Sequence, residues 1–272
     1  MRASFSKLAF SLFLAFPLLT ANAATAESLR LAGTGGIIEA MKQIAPSFKA
    51  ATGNELDIAV GLGSGGALRA LADGKLDVVV SARALNPDEA KLKMVAQPFA
   101  RTPLVFITSH PKPNGLRSSG IARIFASADP KWADGAPLKI ILRTRLDTDT
   151  ALVERDIAGV KQAIEGARRR PDVPVAATDQ DNVEFAQRVG GSFSLAGYGQ
   201  IIAEKCNLRM IAIDGVMPNL DTLANKTYPY EKIFYLVFVS DRSAGAEQFL
   251  KFLRSAEGSK VLLATGNLPV GE

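Results

Sequence analysis

Three short apolar runs in the first third of the chain each end in small polar residues and pass into a helix-like pattern. Ser28–Ala32 leads into Gly33-Thr34-Gly35-Gly36, Leu56–Leu62 into Gly63-Ser64-Gly65-Gly66, and Asp77–Val80 into Ser81-Ala82-Arg83. Read as strand–loop–helix units, they predict one parallel sheet with all three loops at the same end. Helix starts carry partial positive charge and expose N–H groups that have no partner within the helix. Three such starts in one crevice, with Ser and Thr hydroxyls and an Arg beside them, form a donor set suited to an anion. One Gly-rich loop alone reads most simply as a tight turn; consecutive units strengthen the reading because topology sets them side by side. A dinucleotide site fits poorly, since neither Gly-rich loop has the full G-x-G-x-x-G spacing.

The chain opens with Arg2 and Lys7, then the apolar stretch Leu8–Leu19, then small-x-small patterns at Ala21-Asn22-Ala23 and Ala24-Thr25-Ala26. This predicts a secretory signal peptide over 1–26, cleaved after Ala23 or Ala26, and a soluble exported product. The run is too short to span a bilayer comfortably, which argues against a membrane anchor. Removing 23 or 26 of the 272 residues leaves 249 or 246, enough for one large or two small domains. The net charge of +5 falls to +3 without Arg2 and Lys7, a mild bias toward small anions that makes no case for nucleic acid. Arg168-Arg169-Arg170 reads as a solvated run compensating a helix end.

Cys206 is the only cysteine and His110 the only histidine. No internal disulfide is available, and Cys206 reads as a small, half-buried side chain. His110 lies in the linker-like stretch His110-Pro111-Lys112-Pro113 and reads as structural. No Gly-x-Ser-x-Gly elbow and no zinc-ligand spacing accompanies it, so neither a metal nor another cofactor is expected.

Ile37, Ile38, Met41, Ile44, Ala45 and Phe48 recur at helical spacing, with Pro46 predicting a kink or restart. Pro103–Ser109 reads as a buried strand, and the Pro/Gly/Asn-rich stretch after it marks a change of composition. A second αβ block follows, with strands predicted at Leu138–Leu142 and Leu208–Ile213 and helices at Ala151–Arg169 and Asp179–Val189. A final strand, Ile233–Val239, precedes a helix from about Ala244 that continues through Gly258–Leu263. Two blocks and two crossings predict an α/β chain of two hinged lobes. Residues 27–109 and 228–272 form lobe I, and residues 110–227 form lobe II. Between strand and helix in lobe II lies Arg143-Thr144-Arg145-Leu146-Asp147-Thr148-Asp149-Thr150. Thr148 or Asp149 can cap the helix, and Arg143 or Arg145 can offer an oxyanion a planar fork.

Taken in order, these motifs resemble the periplasmic phosphate-binding-protein-like family, the substrate-binding components of ABC importers. Gly33–Gly36 and Gly63–Leu68 are similar to its first two ligand loops, and Leu76–Arg83 to its third. Gly197-Tyr198-Gly199, Tyr228-Pro229-Tyr230, Ser255–Lys260 and Gly266–Pro269 extend the likeness to the end of the chain. The resemblance implies the two-lobed periplasmic fold, type 2-like, with two hinge crossings. It implies ligand contacts from Thr34, Gly35, Ser64, Gly65 and Ser81 in lobe I, and from an Arg, Thr148, Asp149 and Thr150 in lobe II. Two departures stand out. Ala82 and Arg83 follow Ser81 where phosphate binders of the family often have an Asp, and Arg83 joins the candidates as extra positive charge. The lobe II arginine is off register, with Arg143 preferred at the strand end and Arg145 as the alternative.

The expectation is a non-enzymatic, monomeric, periplasmic receptor for a small oxyanion, phosphate first, delivering it to an inner-membrane ABC permease. Sulfate, molybdate, tungstate or an organic acid on the same fold is the alternative. A periplasmic phosphate-ester hydrolase is the rival from another class; it needs a metal cluster or activated nucleophile that the sequence does not offer.

Overall fold

The computed structural model of the protein describes residues 26–270. Residues 1–25 of the predicted signal segment, with the Ala23 cleavage position, lie outside the described residues. In chain order the first block comprises β1 (Ser28–Gly33), α1 (Gly35–Thr52), β2 (Glu55–Ile58), α2 (Gly63–Ala72), β3 (Val78–Ser81), α3 (Pro87–Ala90) and the long β4 (Met94–Thr108). The second comprises α4 (Ser118–Ala126), β5 (Lys139–Ile140), β6 (Leu142–Arg143), α5 (Thr148–Asp156), α6 (Val160–Ala167), β7 (Val175–Ala176), α7 (Asp179–Arg188), β8 (Ser192–Gly197), α8 (Tyr198–Ala203), β9 (Arg209–Met210) and α9 (Leu220–Ala224). The chain then returns through β10 (Glu231–Val239) to α10 (Ala244–Arg254), α11 (Ala256–Ala264) and β11 (Leu268–Pro269).

The main sheet runs β2-β1-β3-β10-β4-β8-β5. β1 pairs in parallel with both β2 and β3, so the loops that follow all three strands emerge at one end. β10 runs antiparallel between β3 and β4 and ties the two blocks together. A second, two-stranded parallel sheet aligns Leu142 with Val175 and Arg143 with Ala176. That register sets the loops after β6 and β7 beside each other, which matters below.

Burial divides into two sets of cores. Leu29, Leu31, Met41, Phe48, Phe234 and Phe249 pack around the first block, with Ala67, Leu68 and Leu71 on the other sheet face. Phe106, Phe125, Phe193, Val160 and Tyr228 pack around the second, with Val105, Ile107 and Val183 opposite. β4 passes through both, and the chain leaves the second at Tyr230, just before β10. Phe99 and Ala100 belong to the first core, whereas Leu104 and Phe106 belong to the second. The outward passage therefore falls near Thr102 and Pro103, upstream of the predicted crossing at Ser109, because the strand continues straight through the junction. Tyr230 still packs in the second core and Phe234 in the first, so the return falls a few residues after Tyr228.

Local details depart from the sequence reading for identifiable reasons. α1 continues through Pro46. Pro46 and Lys42, whose carbonyl loses its i+4 donor there, are both on the exposed face, so water can replace the missing bond. The predicted helix Ala151–Arg169 is two helices, α5 and α6, parted at Gly159, where φ is 78°. Likewise α10 and α11 part at Ser255, whose extended backbone caps α11 through a side-chain bond from the Gly258 N–H.

Gly33 fixes the entry to the first loop. A Cβ there would lie 2.0 Å from the Val80 carbonyl oxygen, the same oxygen that accepts the Thr34 N–H at 2.9 Å. Gly33→Ala is therefore expected to force β1 and β3 apart and lower the unfolding free energy by about 3 kcal/mol, the upper end for overpacking. A urea titration followed by circular dichroism measures it; an unchanged midpoint would refute the close approach.

Candidate functional site

A cleft of about 430 Å³ opens between the blocks at the end of the sheet where the parallel strands' loops emerge. Thr34, Gly35, the Gly63–Gly66 turn, Arg69 and Arg83 line it from the first block, and Arg143, Thr148, Thr178 and Asp179 from the second. Lys232, on β10 at the junction, also lines it.

The loops hold these residues by local bonds. Ser64 Oγ accepts the Ala82 N–H at 3.0 Å, joining the start of α2 to the third loop. Asn86 caps α3 in a reciprocal box with Glu89, and Glu89 also takes two bonds from Arg83, each at 2.7 Å. Glu89 thus lies well below the usual carboxylate range, chiefly through those Arg83 hydrogen bonds. α2 has no side-chain cap and no acid in its first turn. Its first N–H groups therefore face the cleft without a protein carboxylate.

The structure brings most of the predicted residues together and leaves some aside. Thr34, Gly35, Ser64, Gly65, Arg83, Arg143 and Thr148 all line the cleft. Ser81 does not: it is fully buried, and its hydroxyl donates to the Arg83 carbonyl at 2.7 Å, closing its own turn. Asp149 and Thr150 lie behind the wall rather than on it. Asp149 is engaged by Lys232, and Thr150 gives its N–H and hydroxyl to Asp147 Oδ1 at 2.8 and 2.9 Å. The cap of α5 is therefore Asp147, one residue before Thr148 and two before Asp149, the predicted caps. Arg143 points into the cleft, whereas Arg145 turns outward to Glu165. Arg168 is not solvated: its buried guanidinium donates to the carbonyl of Arg143 and braces that loop.

Three participants are absent from the sequence-based candidates: Asp179, Lys232 and Arg69. The β6–β7 register sets the start of α7 beside Arg143, whose Nη1 lies 2.9 Å from Asp179 Oδ1. Arg143 Nη2 lies 3.2 Å from Asp147. Lys232, 1 % exposed in its side chain, meets Asp149 Oδ1 at 2.5 Å. Burial works against the charge on Asp179, but Lys232, Arg143 and the Gly36 N–H outweigh it and hold its carboxyl low. Burial dominates at Asp149 and pushes its carboxyl up to about 6, against the pull of Lys232. Burial also disfavours the Lys232 ammonium, yet Asp149 and Asp179 keep it charged beyond its ordinary range. Arg69 lines the cleft from α2, is exposed, and its charge helps hold the Glu89 carboxyl low.

His110 is elsewhere, stacked on Trp132 with Nε2 3.1 Å from Asp134. Burial pushes the Cys206 thiol up to about 11. Among the described residues, no group of three or more His, Cys, Asp or Glu is arranged to hold a metal ion, and no helix is long and apolar enough to cross a membrane.

A two-lobed α/β chain with its cleft at the loop end of the sheet matches a known family over residues 20–257, the PBP superfamily domain. The chain belongs to the PBP superfamily. Phosphate-binding protein PstS 2 of Streptococcus pneumoniae is 24% identical to it over 137 residues, 50% of this chain and 46% of that protein. The chain thus spans about half the length of the curated relatives it matches. Among solved structures, a protein assigned as a phosphate ABC transporter substrate-binding protein from Clostridium perfringens superposes with a TM-score of 0.78 at 15% identity, covering 90% of this chain and 100% of that one. The periplasmic molybdate-binding protein of Azotobacter vinelandii superposes with a TM-score of 0.61 at 14% identity, covering 90% and 100%. These likenesses establish the bilobed fold.

The buried Lys232–Asp149 pair makes a test of the junction. Asp149→Asn leaves a buried ammonium without its nearest countercharge and is expected to cost about 3–5 kcal/mol. Asp149→Leu combined with Lys232→Met is expected to recover most of that loss, because neither charge then needs a partner. Urea denaturation of the variants decides it; a double variant as unstable as Asp149→Asn would contradict the account.

Proposed function

We propose that the chain is the solute-binding component of an ABC importer, exported to the periplasm, which captures a small oxyanion between its lobes without transforming it. The observation that carries this reading is the convergence on one cleft of the uncapped α2 N-terminus, Thr34, Thr148, Arg69 and Arg143, drawn from both lobes. Amide N–H groups, hydroxyls and a guanidinium are the donors an oxyanion needs once it leaves water. Residence between two lobes joined by β4 and β10 suits closure about those strands. Ligand contacts are assigned to Thr34, Gly35, Ser64, Gly65, Thr148 and Arg143, with Arg69 added.

Phosphate is the first candidate. Proteins named as phosphate binders are among the curated relatives and among the structures of like fold, one of the latter with phosphate bound. Molybdate or another oxyanion on the same scaffold is supported by the molybdate-binding structure of the same fold. A hydrolytic role finds no support at the cleft: His110 and Cys206 do not line it, and its Asp side chains are engaged by Arg143 and by backbone or hydroxyl donors.

Arg69→Glu tests the reading with little risk to the fold, since Arg69 is exposed. Reversing the charge beside the α2 N-terminus is expected to weaken phosphate binding at least tenfold, or about 1.4 kcal/mol, with the melting temperature of the protein alone unchanged. Isothermal titration gives the affinity. Phosphate that binds wild type and Arg69→Glu equally would remove Arg69 from the site. Failure of phosphate, sulfate, molybdate and tungstate to raise the wild-type melting temperature would overturn the anion reading itself.

A further inference from the structure

The start of α1 is already served by a carboxylate from the opposite lobe. Asp179 Oδ2 accepts the Gly36 N–H at 3.1 Å and lies 3.4 Å from the Thr34 hydroxyl. Its Oδ1 takes Arg143 Nη1. Next to it, Gln180 Nε2 donates to the Gly35 carbonyl at 3.1 Å. A helix-terminal N–H, a threonine hydroxyl and a guanidinium are the groups that would hold an oxyanion there. Each bond given to Asp179 is one an incoming oxyanion cannot share.

The ordinary role of an acidic residue at a helix start does not account for Asp179. The first turn of α7 is capped by Thr178, which accepts the Asp181 N–H at 3.0 Å, while Asp181 accepts the Thr178 N–H at 2.9 Å. The Asp179 side chain makes its hydrogen bonds to other elements: Thr34, Gly36 and Arg143. Nor does Asp179 hold its cations alone. If it swings away, Arg143 keeps Asp147 and Lys232 keeps Asp149. Departure therefore strands neither buried cation, which is the condition for a carboxylate that can leave its seat.

We propose that Asp179 is a built-in competitor for the ligand: a lobe II carboxylate seated in the anion position at the start of α1, which an oxyanion must displace in order to bind. The proposal rests on reading the cleft as an anion site and adds a regulation of that site. Because Asp179 is tethered, it competes at high effective concentration and lowers affinity for every anion. Its bonds to Thr34 and Gly36 also tie the lobes together, so displacement frees them to move. A dianion, with more charge to offer Arg143 and the amides, displaces it more readily than a monoanion.

The test is isothermal titration of inorganic phosphate into wild type, Asp179→Asn and Asp179→Ala, with small-angle scattering of each protein before phosphate is added. Thermal melts identify any variant that has lost its fold, and the near-isosteric Asn is the safeguard for the Ala. Both variants are expected to bind phosphate at least tenfold more tightly than wild type and to show a larger radius of gyration before phosphate is added. Weaker binding in folded variants would make Asp179 a ligand contact, and unchanged binding would place it outside the competition; either overturns the proposal. If neither wild type nor variants bind phosphate, sulfate, molybdate or tungstate, the anion reading fails and takes the proposal with it.

Discussion

Buried charge at the lobe junction is the constraint around which the rest of the molecule is arranged. Lys232, Arg143, Asp147, Asp149 and Asp179 come from β10, β6, the α5 start and the α7 start, four separate stretches of chain. Removing such charges from water is tolerable only when each finds a partner. The two cations and three carboxylates form chains rather than isolated pairs, and the excess carboxylate shows in Asp149, which burial pushes up to about 6. Arg143 bridges Asp147 and Asp179, and Lys232 meets Asp149 while drawing Asp179. That mutual requirement fixes the relative placement of β6, β10, α5 and α7 more tightly than apolar packing, which is non-directional. The network also holds one alternative: with Asp179 away, Arg143 still pairs with Asp147 and Lys232 with Asp149.

Much of the first block was legible in the sequence because βα alternation constrains topology strongly. Apolar runs ending at Gly33, Leu62 and Val80, each followed by a helical pattern, leave little choice but parallel neighbours with their loops at one end. Observed order and pairing follow that logic through β1, β2 and β3. In the second half the apolar runs Leu138–Leu142 and Leu208–Ile213 located β5, the start of β6 and β9, but strands of two residues offer no periodicity from which to read their bounds or pairing, and β7 gave no signal. β8, Ser-Phe-Ser-Leu-Ala-Gly, gives no strand signal for a related reason. It is buried on both faces, so its residues do not alternate in polarity, and its Ser and Gly read as loop.

The charged members of the site were legible to differing degrees. Arg143 ends a strand before a Thr/Asp-rich turn, and that position is a signal. Lys232 held one too: in β10 the buried residues alternate as Lys232, Phe234 and Leu236. A lysine in the inward phase of a strand requires a buried partner, which the sequence cannot name. Asp179 was hidden, because an acid at a helix start has the same appearance whether it serves its own helix or another one. Ser81 misled in the opposite way. A hydroxyl at the end of a βα strand looks like a donor to ligand, and only the coordinates reveal that it closes its own turn on Arg83. Arg168 misled likewise, since nothing in a basic triplet tells a solvated guanidinium from one folded back onto the Arg143 carbonyl.

The starts of α1 and α2 make an instructive contrast. Both follow Gly-rich turns on neighbouring parallel strands, and both point into the cleft. The α1 start is bonded to Asp179 of the other lobe, whereas α2 has neither an acid in its first turn nor a side-chain cap. Ser64 there spends its oxygen as an acceptor for Ala82, so its hydroxyl proton is left to donate. On the lobe I wall the one carboxylate lining the cleft among the described residues, Glu89, is bonded to Arg83 and leaves the α2 start uncapped, while the lobe II wall pairs Arg143 with Asp147 and Asp179. On the proposed reading, an anion entering the cleft is drawn first to the α2 start and Arg69. It then lies within reach of the opposing donors, where it contends with Asp179 for the N–H of Gly36 and the guanidinium of Arg143. The same reading assigns attraction and competition to different walls, so that the proposed capture of an anion and the proposed displacement of Asp179 rest on separate residues.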